Sequence, residues 1–471
     1  MRLGALIGGD DSASVTGFAI DHRKVAPGTV FGAFRGARFN GEDFVSAAVE
    51  AGAVAVVARP DVAVEGAPHV AAEEPRRAFA RLAARFFQPF PETVVAVTGT
   101  NGKTSNVEMV RQLWRMAGHP SASIGTLGVT TADDQVTTGL TTPDIVTFLS
   151  NMAGLAREGI THAAFEASSH GLSQYRTEGL PVQAAAFTNF SRDHLDYHGT
   201  MDAYFEAKMR LFAEVVEPDG AAVVWADDPK SDEVVRRCRE RGLRLLTVGR
   251  KGETLKLVDR EASQLGQKLT IEVEGGAHSV TIPMIGAYQA ANVLTAAGLV
   301  IATGGDVRQT LANLSRVQPV RGRLERAVIT RAGAPIYVDY AHTADALESA
   351  IEALRPHTRG RLITVFGAGG DRDVGKRPEM GASAIRLSDL VIITDDNPRG
   401  EDPAAIRRDI LAGAPDAREV PGRREAIAAA VAEAGPDDII LLAGKGHEQG
   451  QIIGDRVLPF DDVAVARECA A

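Results

Sequence analysis

Cysteine is almost absent from this chain of 471 residues, which contains only Cys238 and Cys469. The two lie far apart and show none of the spacings by which cysteines bind metals. The sequence therefore argues against a disulfide framework and against a zinc site. This cysteine usage is typical of a protein that works in a reducing compartment.

Long apolar runs are also missing from the sequence. No stretch approaches the roughly 20 apolar residues that a helix needs to cross a bilayer. The apolar run near Met1 is too short for a secretory signal peptide. We therefore expect a cytoplasmic protein that does not insert into membranes.

Excess positive charge is the third feature that the chain lacks, since its formal net charge is −10 and its pI is near 5.6. This balance disfavours sequence-independent binding to the phosphates of nucleic acids. Anionic small molecules can still bind where positive side chains gather in clefts. We expect small-molecule substrates, no nucleic acid partner and a monomer.

The composition that is present belongs to an ordinary globular protein, with 45% hydrophobic and 24% charged residues. A prior of about 150 residues per domain predicts roughly three domains. Alternating strand and helix patterns predict an α/β fold, with a central P-loop ATPase-like doubly wound sheet and a C-terminal Rossmann-like domain. A proline-rich break at 88–91 and a change of pattern near Pro319 place the domains at 1–90, 91–318 and 319–471.

The segment from Thr93 to Ser105 is the strongest local signal. The apolar run Val94 to Val97 predicts a strand buried on both faces, and glycines, a lysine and a helix pattern follow it. Such a turn offers backbone N–H groups, a helix dipole and a lysine to a phosphate, and a hydroxyl to Mg²⁺. Only three residues separate Gly99 from Lys103, so the motif is a shortened P-loop. The predicted ATP-binding residues are Gly99, Thr100, Asn101, Gly102, Lys103, Thr104 and Ser105.

Polar clusters follow two later strand patterns. Glu166 comes directly after the run Thr161 to Phe165, and His194 ends the cluster that follows Ala184 to Phe187. Ligands bind at the carboxyl edge of open α/β sheets, so we expect both clusters near the P-loop. With the Thr104 hydroxyl they could complete a Mg²⁺ site. Taken singly, Glu166 is also typical of a capping acid and His194 of a hydrogen-bonded structural histidine.

Lys208 lies in a predicted helix, on the same face as Tyr204, Leu211 and Phe212. A lysine in an apolar stripe can extend its ammonium to water. Burial would instead depress its pKa and leave a neutral, reactive amine. The sequence alone leaves both interpretations open.

The last third of the chain repeats the strand-then-polar-cluster pattern. Its clusters are Asp339–His342, Gly367–Asp373, Asp395–Arg399 and Gly444–Glu448. If the sheet is parallel, the clusters form one crevice with charges of both signs, as recognition of a zwitterion requires. Two other features stay open. The arginines at 35 and 38 form either a surface loop or a docking site for a phosphorylated substrate, and Arg323 is either a surface residue or a contact to the transferred phosphate.

Together these motifs resemble the Mur ligase family of peptidoglycan precursor synthesis along essentially the whole chain. The ordered set is G-T-N-G-K-T-S, E-A-S-S-H-G-L, N-F-S-R-D-H-L-D-Y-H-G, Y-F-E-A-K, D-Y-A-H-T, G-G-D-R-D-V-G-K-R-P, D-N-P-R and G-K-G-H-E. The last three clusters are similar to those of members that add meso-2,6-diaminopimelate to UDP-N-acetylmuramoyl-L-alanyl-D-glutamate. The resemblance implies an ATP-dependent amide ligase that works through an acyl-phosphate, with roles in cell wall biogenesis, cell shape and cell division.

The resemblance also implies roles for the three domains and for individual residues. The domain at 1–90 would bind the UDP-muramyl substrate, that at 91–318 ATP, and that at 319–471 the amino acid. The implied catalytic residues are Lys103, Lys208, His194 and Arg323. ATP contacts extend to Asn292, Arg323, Asp339 and His342. The implied Mg²⁺ ligands are Thr104, Glu166, His194 and Lys208, the last as a carbamate formed with CO₂.

For the substrates, the resemblance implies two further sets. Contacts to the UDP-muramyl dipeptide fall on Ile20, His22, Ala37, Arg38, Phe39, Thr141, Thr142, Ser168, Gln174 and Arg176. Contacts to diaminopimelate fall on Arg372, Asp396, Asn397, Pro398, Arg399, Gly444 and Glu448.

The chain departs from the family pattern at a few positions. His22 stands where the family has serine, Ala344 where it has proline, and Ala368 where cysteine is common, while Tyr288-Gln289 replaces a Phe-Asn pair. Three alternatives remain: a lysine-adding ligase, which should lack an arginine at position 399, a folylpolyglutamate synthetase, and a nucleotide-switched binding module.

Overall fold

The computed structural model describes residues 1–9, 11–36, 39–136, 141–263, 265–371 and 373–471. The chain forms two compact units. The first contains Met1–Leu255 and Leu294–Thr310, and the second contains Lys256–Val293 and Leu311–Ala471. The two domain boundaries expected from the sequence stay predictions. Within the described ranges, no helix is long and apolar enough to cross a membrane.

The first unit begins with a small parallel sheet. Its elements are α1 (Leu3–Ile7), β1 (Gly17–Ala19), β2 (Thr29–Gly32), α2 (Val45–Glu50), β3 (Ala53–Ala58), β4 (His69–Ala71) and α3 (Pro75–Phe87). The strands pair in chain order and all run parallel. Helix α3 starts with a proline, which suits its first turn, and buries Phe79, Ala80 and Ala83 against the core.

A larger, mostly parallel sheet follows in the same unit. Its elements are β5 (Thr93–Thr98), α4 (Lys103–Met116), β6 (Ser121–Gly125), β7 (Gly128–Thr130), β8 (Gln135–Val136), α5 (Ile145–Arg157), β9 (His162–Glu166), α6 (Ser169–Ser173), β10 (Val182–Phe187), α7 (Leu195–His198), α8 (Met201–Arg210), β11 (Val216–Trp225), α9 (Ser231–Glu240) and β12 (Arg244–Gly249). The strand order is β12-β11-β10-β5-β9-β6-β7-β8, with β7 and β8 antiparallel at one edge.

Strand β5 lies in the middle of this sheet, between β9 and β10. Val94 to Val97 have no exposed surface, as expected for a strand covered on both faces. Helix α4 leaves β5 through the glycine turn and buries Val107, Val110 and Trp114. The predicted strand, turn and helix around the P-loop are therefore confirmed.

The second unit contains an antiparallel set of strands and a second parallel sheet. Its elements are β13 (Leu255–Ser263), β14 (Gly266–Val273), β15 (Gly276–Ile282), α10 (Ala287–Ala302), α11 (Val307–Asn313), β16 (Glu325–Ile329), β17 (Pro335–Asp339), α12 (Ala344–Leu354), β18 (Leu362–Phe366), α13 (Lys376–Leu387), β19 (Leu390–Ile393), α14 (Pro403–Leu411), β20 (Arg418–Glu419), α15 (Arg423–Glu433), β21 (Ile439–Ala443), β22 (Gly450–Ile453), β23 (Arg456–Pro459) and α16 (Asp462–Ala470). Helices α10 and α11 each begin in one unit and end in the other.

The C-terminal sheet has the order β16-β17-β21-β18-β19-β20, and only β16 is antiparallel to its neighbour. Alternate residues of its strands enter two apolar layers: Tyr337 and Leu441 belong to one layer, and Ile336, Val338 and Ile440 to the other. The predicted α/β fold is thus confirmed. The parallel strands bring their carboxyl ends to one edge, as the sequence interpretation required.

Candidate active site

The P-loop is a preformed cradle whose shape depends on glycine. Gly99 and Gly102 have φ angles of 141° and 85°, a region that favours glycine. A Cβ on Gly99 would lie 1.9 Å from Thr188 Oγ1, so no side chain fits there. No side chain caps the N-terminus of α4. Its first N–H groups can therefore serve an anion, and the loop fits an ATP phosphate.

Residues at the end of β10 hold this loop in place. Asn189 Oδ1 accepts a hydrogen bond from the Asn101 N–H at 2.9 Å, and its Nδ2 donates to Asn101 O at 3.2 Å. The Thr188 hydroxyl donates to the same carbonyl at 2.6 Å, and Thr100 N donates to Asn189 O at 2.9 Å. The sequence interpretation gave Asn189 no role, although its place at a strand end was a signal. Lys103 Nζ donates to Gly99 O and Thr100 O at 3.0 and 2.7 Å.

Lys208 lies against the same loop and is 1% exposed. Its Nζ donates to Gly99 O at 2.7 Å and lies 4.3 Å from the centre of the Tyr204 ring. Tyr204 itself donates to Thr100 Oγ1 at 3.3 Å. Burial, and to a lesser degree the charge of Lys103, holds the pKa of Lys208 well below its usual value. Of the two interpretations left open by the sequence, the structure shows the buried amine.

The candidate Mg²⁺ ligands lie around the carboxyl edge of the same sheet. Glu166 is buried at the end of β9 and accepts a hydrogen bond from Thr126 N at 2.7 Å. A Cβ on Gly125 would lie 2.1 Å from the Glu166 carboxylate, so this neighbour must also be glycine. Thr104 is buried in the first turn of α4. His194, at a φ of 51°, is partly exposed, with Nε2 3.4 Å from Asp193 Oδ2.

The described residues contain no group of three or more His, Cys, Asp or Glu side chains close enough to hold a metal ion. Mg²⁺ in nucleotide enzymes usually keeps several waters and takes one or two carboxylates plus substrate phosphates. Oxygen donors of that kind are what the P-loop edge offers. The residues present therefore fit Mg²⁺ bound together with ATP better than a metal held by protein alone.

Four of the expected UDP-muramyl contacts form one hydrogen-bonded group beside Glu166. The Thr142 hydroxyl donates to Glu166 O at 2.8 Å, and its oxygen lies 3.0 Å from Ser168 Oγ. Arg176 donates to Thr142 O at 2.7 Å and to Gln174 Oε1 at 2.8 Å. A fifth, Thr141, lies near this group, since its hydroxyl is 3.1 Å from Thr126 Oγ1.

A second arginine, which the sequence interpretation missed, lies close to this group. Burial lowers the pKa of Arg76, and the charge of Arg176 lowers it further. Burial is also the main cause of the lowered pKa of Arg176. The Tyr197 side chain opposes the lowering of both pKa values. Two neighbouring guanidinium groups favour an anionic ligand.

The structure describes most of the expected uridine contacts at the N-terminal sheet. His22 stacks on Phe44 with ring centres 4.2 Å apart and planes within 3°. Ile20 packs against the core of the unit, and Phe39 is exposed. Arg35 is exposed and pairs with Glu42 at 3.1 Å. Ala37 and Arg38 lie outside the described residues.

In the second unit, Asp339 organises the expected nucleotide contacts. Its two oxygens accept hydrogen bonds from Leu324 N at 2.8 Å and Ala341 N at 2.9 Å. Burial raises the pKa of Asp339, while Arg323 opposes the rise. The Arg323 guanidinium lies 4.9 Å from the centre of the Tyr340 ring.

Two more of these contacts lie in the same unit. Gln289 Nε2 donates to Arg323 O at 3.1 Å, and Asn292 Nδ2 donates to Gln289 Oε1 at 3.2 Å. His342 Nδ1 lies 2.8 Å from Tyr340 O, and burial lowers the pKa of its ring. These nucleotide contacts thus lie on, or bond to, the end of β17 or the first half of α10. They are Asn292, Arg323, Asp339 and His342.

The backbone of Arg399 is held by the hairpin of β22 and β23. Arg399 N donates to Ile452 O at 3.0 Å, and Gly454 N donates to Arg399 O at 2.7 Å. Arg399 has a φ of 51°, and its guanidinium donates to Gly370 O at 2.9 Å. The sequence interpretation did not foresee this hairpin. Arg372 lies outside the described residues.

The other expected amino-acid contacts lie on the loops that follow β19 and β21. Asn397 Nδ2 donates to Glu448 Oε2 at 2.7 Å. A Cβ on Gly444 would lie 2.6 Å from Asp396 Oδ2, so the two loops approach as closely as glycine allows. Pro398 O would lie 1.9 Å from a Cβ on Gly370. The four polar clusters therefore follow adjacent parallel strands at one edge of the sheet, and the crevice expected there stays a prediction.

Comparison with known proteins matches three family models to this chain. They are described as "Mur ligase family, catalytic domain" over residues 14–114, "Mur ligase middle domain" over 97–300 and "Mur ligase, glutamate ligase domain" over 322–446.

Individual proteins are similar along the whole chain. UDP-N-acetylmuramoyl-L-alanyl-D-glutamate–2,6-diaminopimelate ligase of Zymomonas mobilis is 61% identical over 458 residues, covering 96% of this chain and 94% of that protein. The ligase of the same name from Bradyrhizobium diazoefficiens is 51% identical, covering 98% and 97%. A solved structure of a ligase with this name has a TM-score of 0.77 and 32% identity, covering 100% and 98%. The chain belongs to the Mur ligase family.

Proposed function

We propose that this protein is an ATP-dependent ligase that adds meso-2,6-diaminopimelate to the D-glutamate of UDP-N-acetylmuramoyl-L-alanyl-D-glutamate. The relatives at 61% and 51% identity carry the name of that activity. The observation that carries the proposal is the edge of the C-terminal sheet, where Arg399 and Glu448 lie on loops held by hydrogen bonds. It offers a guanidinium and a carboxylate to the far end of a zwitterionic amino acid.

In the first step, a carboxylate oxygen of D-glutamate attacks the γ-phosphorus of ATP, and ADP leaves with the electrons of the broken P–O bond. The product is an acyl-phosphate. The uncapped N–H groups of α4 and the ammonium of Lys103 neutralise charge on the phosphates. Arg323 is proposed to reach the transferred phosphate. Asn292, Asp339 and His342 are proposed nucleotide contacts, together with the P-loop residues Gly99 to Ser105.

Thr104, Glu166, His194 and a carbamate on Lys208 are the proposed holders of Mg²⁺, which supplies positive charge to the phosphate oxygens. The low pKa of Lys208 supports the carbamate, since only a neutral amine reacts with CO₂. This modification would replace a neutral amine by an anion beside the P-loop. The change favours the oxygen ligands that Mg²⁺ prefers.

In the second step, the amine of diaminopimelate attacks the acyl carbon, and a tetrahedral intermediate forms. Phosphate leaves with the electrons of the C–O bond, the nitrogen loses a proton, and an amide results. Positioning of the two substrates supplies much of the acceleration in such a reaction. The network of Thr142, Ser168, Gln174 and Arg176 is proposed to hold the muramyl dipeptide, with Thr141 beside it and Ile20, His22 and the loop at 37–39 at the uridine.

Selectivity for the amino acid is proposed to rest on its second carboxylate. Arg399 and Arg372 would pair with that carboxylate and Glu448 with the distal ammonium, while Asp396, Asn397, Pro398 and Gly444 shape the crevice. Lysine lacks the carboxylate and would leave the arginines without an anion. Sites built for a polar group can reject analogues that lack it by about 10⁴-fold or more.

A phosphate-release assay tests this function. The enzyme is given ATP, Mg²⁺ and the UDP-muramyl dipeptide with each of several amino acids, and each component is omitted in turn. We expect phosphate release that needs both the dipeptide and diaminopimelate. Equal kcat/KM for lysine would favour the lysine-adding alternative, and ATP binding without turnover would favour the binding module. A monomeric state, a cytoplasmic location and roles in cell shape and division stay predictions.

A further inference from the structure

Lys445 lies fully buried between the two loops proposed to hold diaminopimelate, with 0% of its surface exposed. Its ammonium donates to Gly450 O at 2.6 Å, to Asn397 Oδ1 at 3.1 Å and to Glu448 Oε2 at 3.2 Å. An ammonium has three N–H donors, so every one of them has an acceptor. The sequence interpretation gave this lysine no role of its own.

Each acceptor belongs to a different part of the site. Asn397 lies on the loop after β19, Glu448 on the loop after β21, and Gly450 begins the hairpin that holds Arg399. Asn397 Oδ1 also accepts from Ile452 N at 2.9 Å, while its Nδ2 donates to Glu448. The amide of Asn397 thus has only one orientation that satisfies its neighbours. Lys445 is the group that joins all three segments.

The same contacts determine how Glu448 faces the crevice. Lys445 and Asn397 both donate to Glu448 Oε2. Their two hydrogen bonds fix the plane of the carboxylate and leave Oε1 as the oxygen for a ligand. A carboxylate held in this way needs no rearrangement when a substrate ammonium arrives, which lowers the cost of binding.

Burial of a charged side chain carries a large desolvation penalty. Apolar side chains of similar volume often stabilise a fold as well as or better than a buried ion pair. Packing alone therefore gives no reason for a lysine at position 445. The orientation of Asn397 and Glu448 gives such a reason, because a cation with three donors satisfies all three oxygens at once.

We propose that Lys445 is a positioning residue for amino-acid binding: it locks Asn397 and Glu448 so that Glu448 presents one oxygen to the distal ammonium of the substrate. The proposal rests on the function proposed above. Lys445 touches neither ATP nor the muramyl dipeptide in this role. Its removal should change the use of the amino acid alone.

The test uses the full-length Lys445→Met variant, which keeps the length of the side chain and removes its charge and donors. We expect KM for diaminopimelate to rise about 10- to 100-fold, the range seen when a group that orients a ligand-binding side chain is lost. KM for ATP and for the UDP-muramyl dipeptide should stay within about twofold. Lysine carries the same distal ammonium, so its KM should rise as well and the preference for diaminopimelate should be kept.

Two further variants separate positioning from a general structural role. In a Glu448→Gln background, Lys445→Met should have little further effect on KM for diaminopimelate, because the carboxylate it orients is gone. Lys445→Gln, which keeps two donors, should give a smaller rise in KM and serves if the methionine variant does not fold. The control Arg361→Met removes a cation paired with Asp438 at the amino end of β18, and should leave KM for diaminopimelate unchanged.

The outcomes are distinct. An unchanged KM for diaminopimelate in a folded Lys445 variant overturns the proposal, as does an equal effect of Lys445→Met with and without Glu448. Failure of the unmutated enzyme to use diaminopimelate would overturn the proposed function instead.

Discussion

At the amine of Lys208, burial and the nearby charge of Lys103 both oppose protonation. The folded protein then holds fewer protons than the unfolded chain between the lowered pKa and the usual value of 10.5. Stability should therefore rise with pH across that window. In CO₂-free buffer, Lys208→Met should be more stable than the unmutated protein at neutral pH, with a gap that closes toward pH 10.5. Urea unfolding at several pH values measures this.

The same variant separates stability from activity. If the neutral amine carries a carbamate, Lys208→Met should lose about 100-fold or more in kcat, comparable to the loss of one electrostatic contact to a transition state. Bicarbonate should restore CO₂-stripped unmutated enzyme and leave the variant unchanged. Lys103 still donates to Gly99 O in the variant, so the loop keeps one of its two lysine donors. Full activity of Lys208→Met would contradict the assignment.

A second prediction at the residue scale concerns the role of Arg399 in the use of diaminopimelate. Its guanidinium is a planar fork, so it can bind a carboxylate through two parallel hydrogen bonds. Arg399→Ala should lower kcat/KM for diaminopimelate by about 100-fold, and Arg399→Lys, which keeps the charge without the fork, should lower it less. Dissociation constants for ATP and the muramyl dipeptide are the internal controls. Unaltered use of diaminopimelate by Arg399→Ala would refute this role.

At the scale of elements, Arg377 joins the loops that follow β18 and β19. It is 1% exposed and pairs with Asp409 at 2.9 Å and Glu401 at 2.8 Å. Glu401 in turn accepts from Asp371 N at 2.5 Å. Arg377→Met should cost about 1–3 kcal/mol, because both carboxylates are partly exposed and stay hydrated after the loss.

The control for that variant lies on the same helix, α13. Arg386 pairs with Glu348 at the surface, where an ion pair contributes about 0–1 kcal/mol. Arg386→Met should therefore shift the urea midpoint only slightly. Arg377→Met should also raise KM for diaminopimelate, because two loops of the crevice lose a shared anchor. Equal effects of the two variants would mean that Arg377 anchors nothing.

Elements with a simple pattern could be predicted from the sequence, and pairings between distant segments could not. Val94 to Val97 are apolar at every position, which marks a strand covered on both sides, and α4 follows from its glycine turn and its apolar spacing. The hairpin at 450–459 is short and exposed. Nothing in its sequence says that it pairs with the backbone of Arg399.

Single residues show the same limit. Lys208 could be placed on an apolar helix face, but its burial depended on the position of the P-loop, which is more than 100 residues away in sequence. Arg76 gave no signal, since its neighbour Arg176 belongs to another segment. Lys445 stood inside a recognised motif, and only the structure showed three acceptors around it.

At the scale of the whole molecule, the first unit needs a piece of chain from beyond residue 255. In α10, a Cβ on Gly298 would lie 2.7 Å from Val223 and 3.3 Å from Val248, so this helix packs closely on β11 and β12. A fragment of residues 1–255 would expose that apolar surface. We expect it to bind a hydrophobic dye and to unfold without a sharp transition.

A matched protein restores the missing piece. Residues 294–310 joined to residue 255 by a flexible Gly/Ser linker should recover a cooperative transition and lose dye binding. Hydrogen exchange at β11 and β12 is the local readout. Identical unfolding curves for the two proteins would show that the segment contributes nothing to the unit.

The passage of α10 and α11 between the units also limits how this protein can recombine with a relative. The chain changes unit at three places, after residues 255, 293 and 310. A single crossover at any one of them leaves at least one unit assembled from two parents. Exchange of the complete second unit between two ligases therefore needs all three junctions at once. Chimeras made at one junction would test the compatibility of two cores rather than the transfer of a specificity.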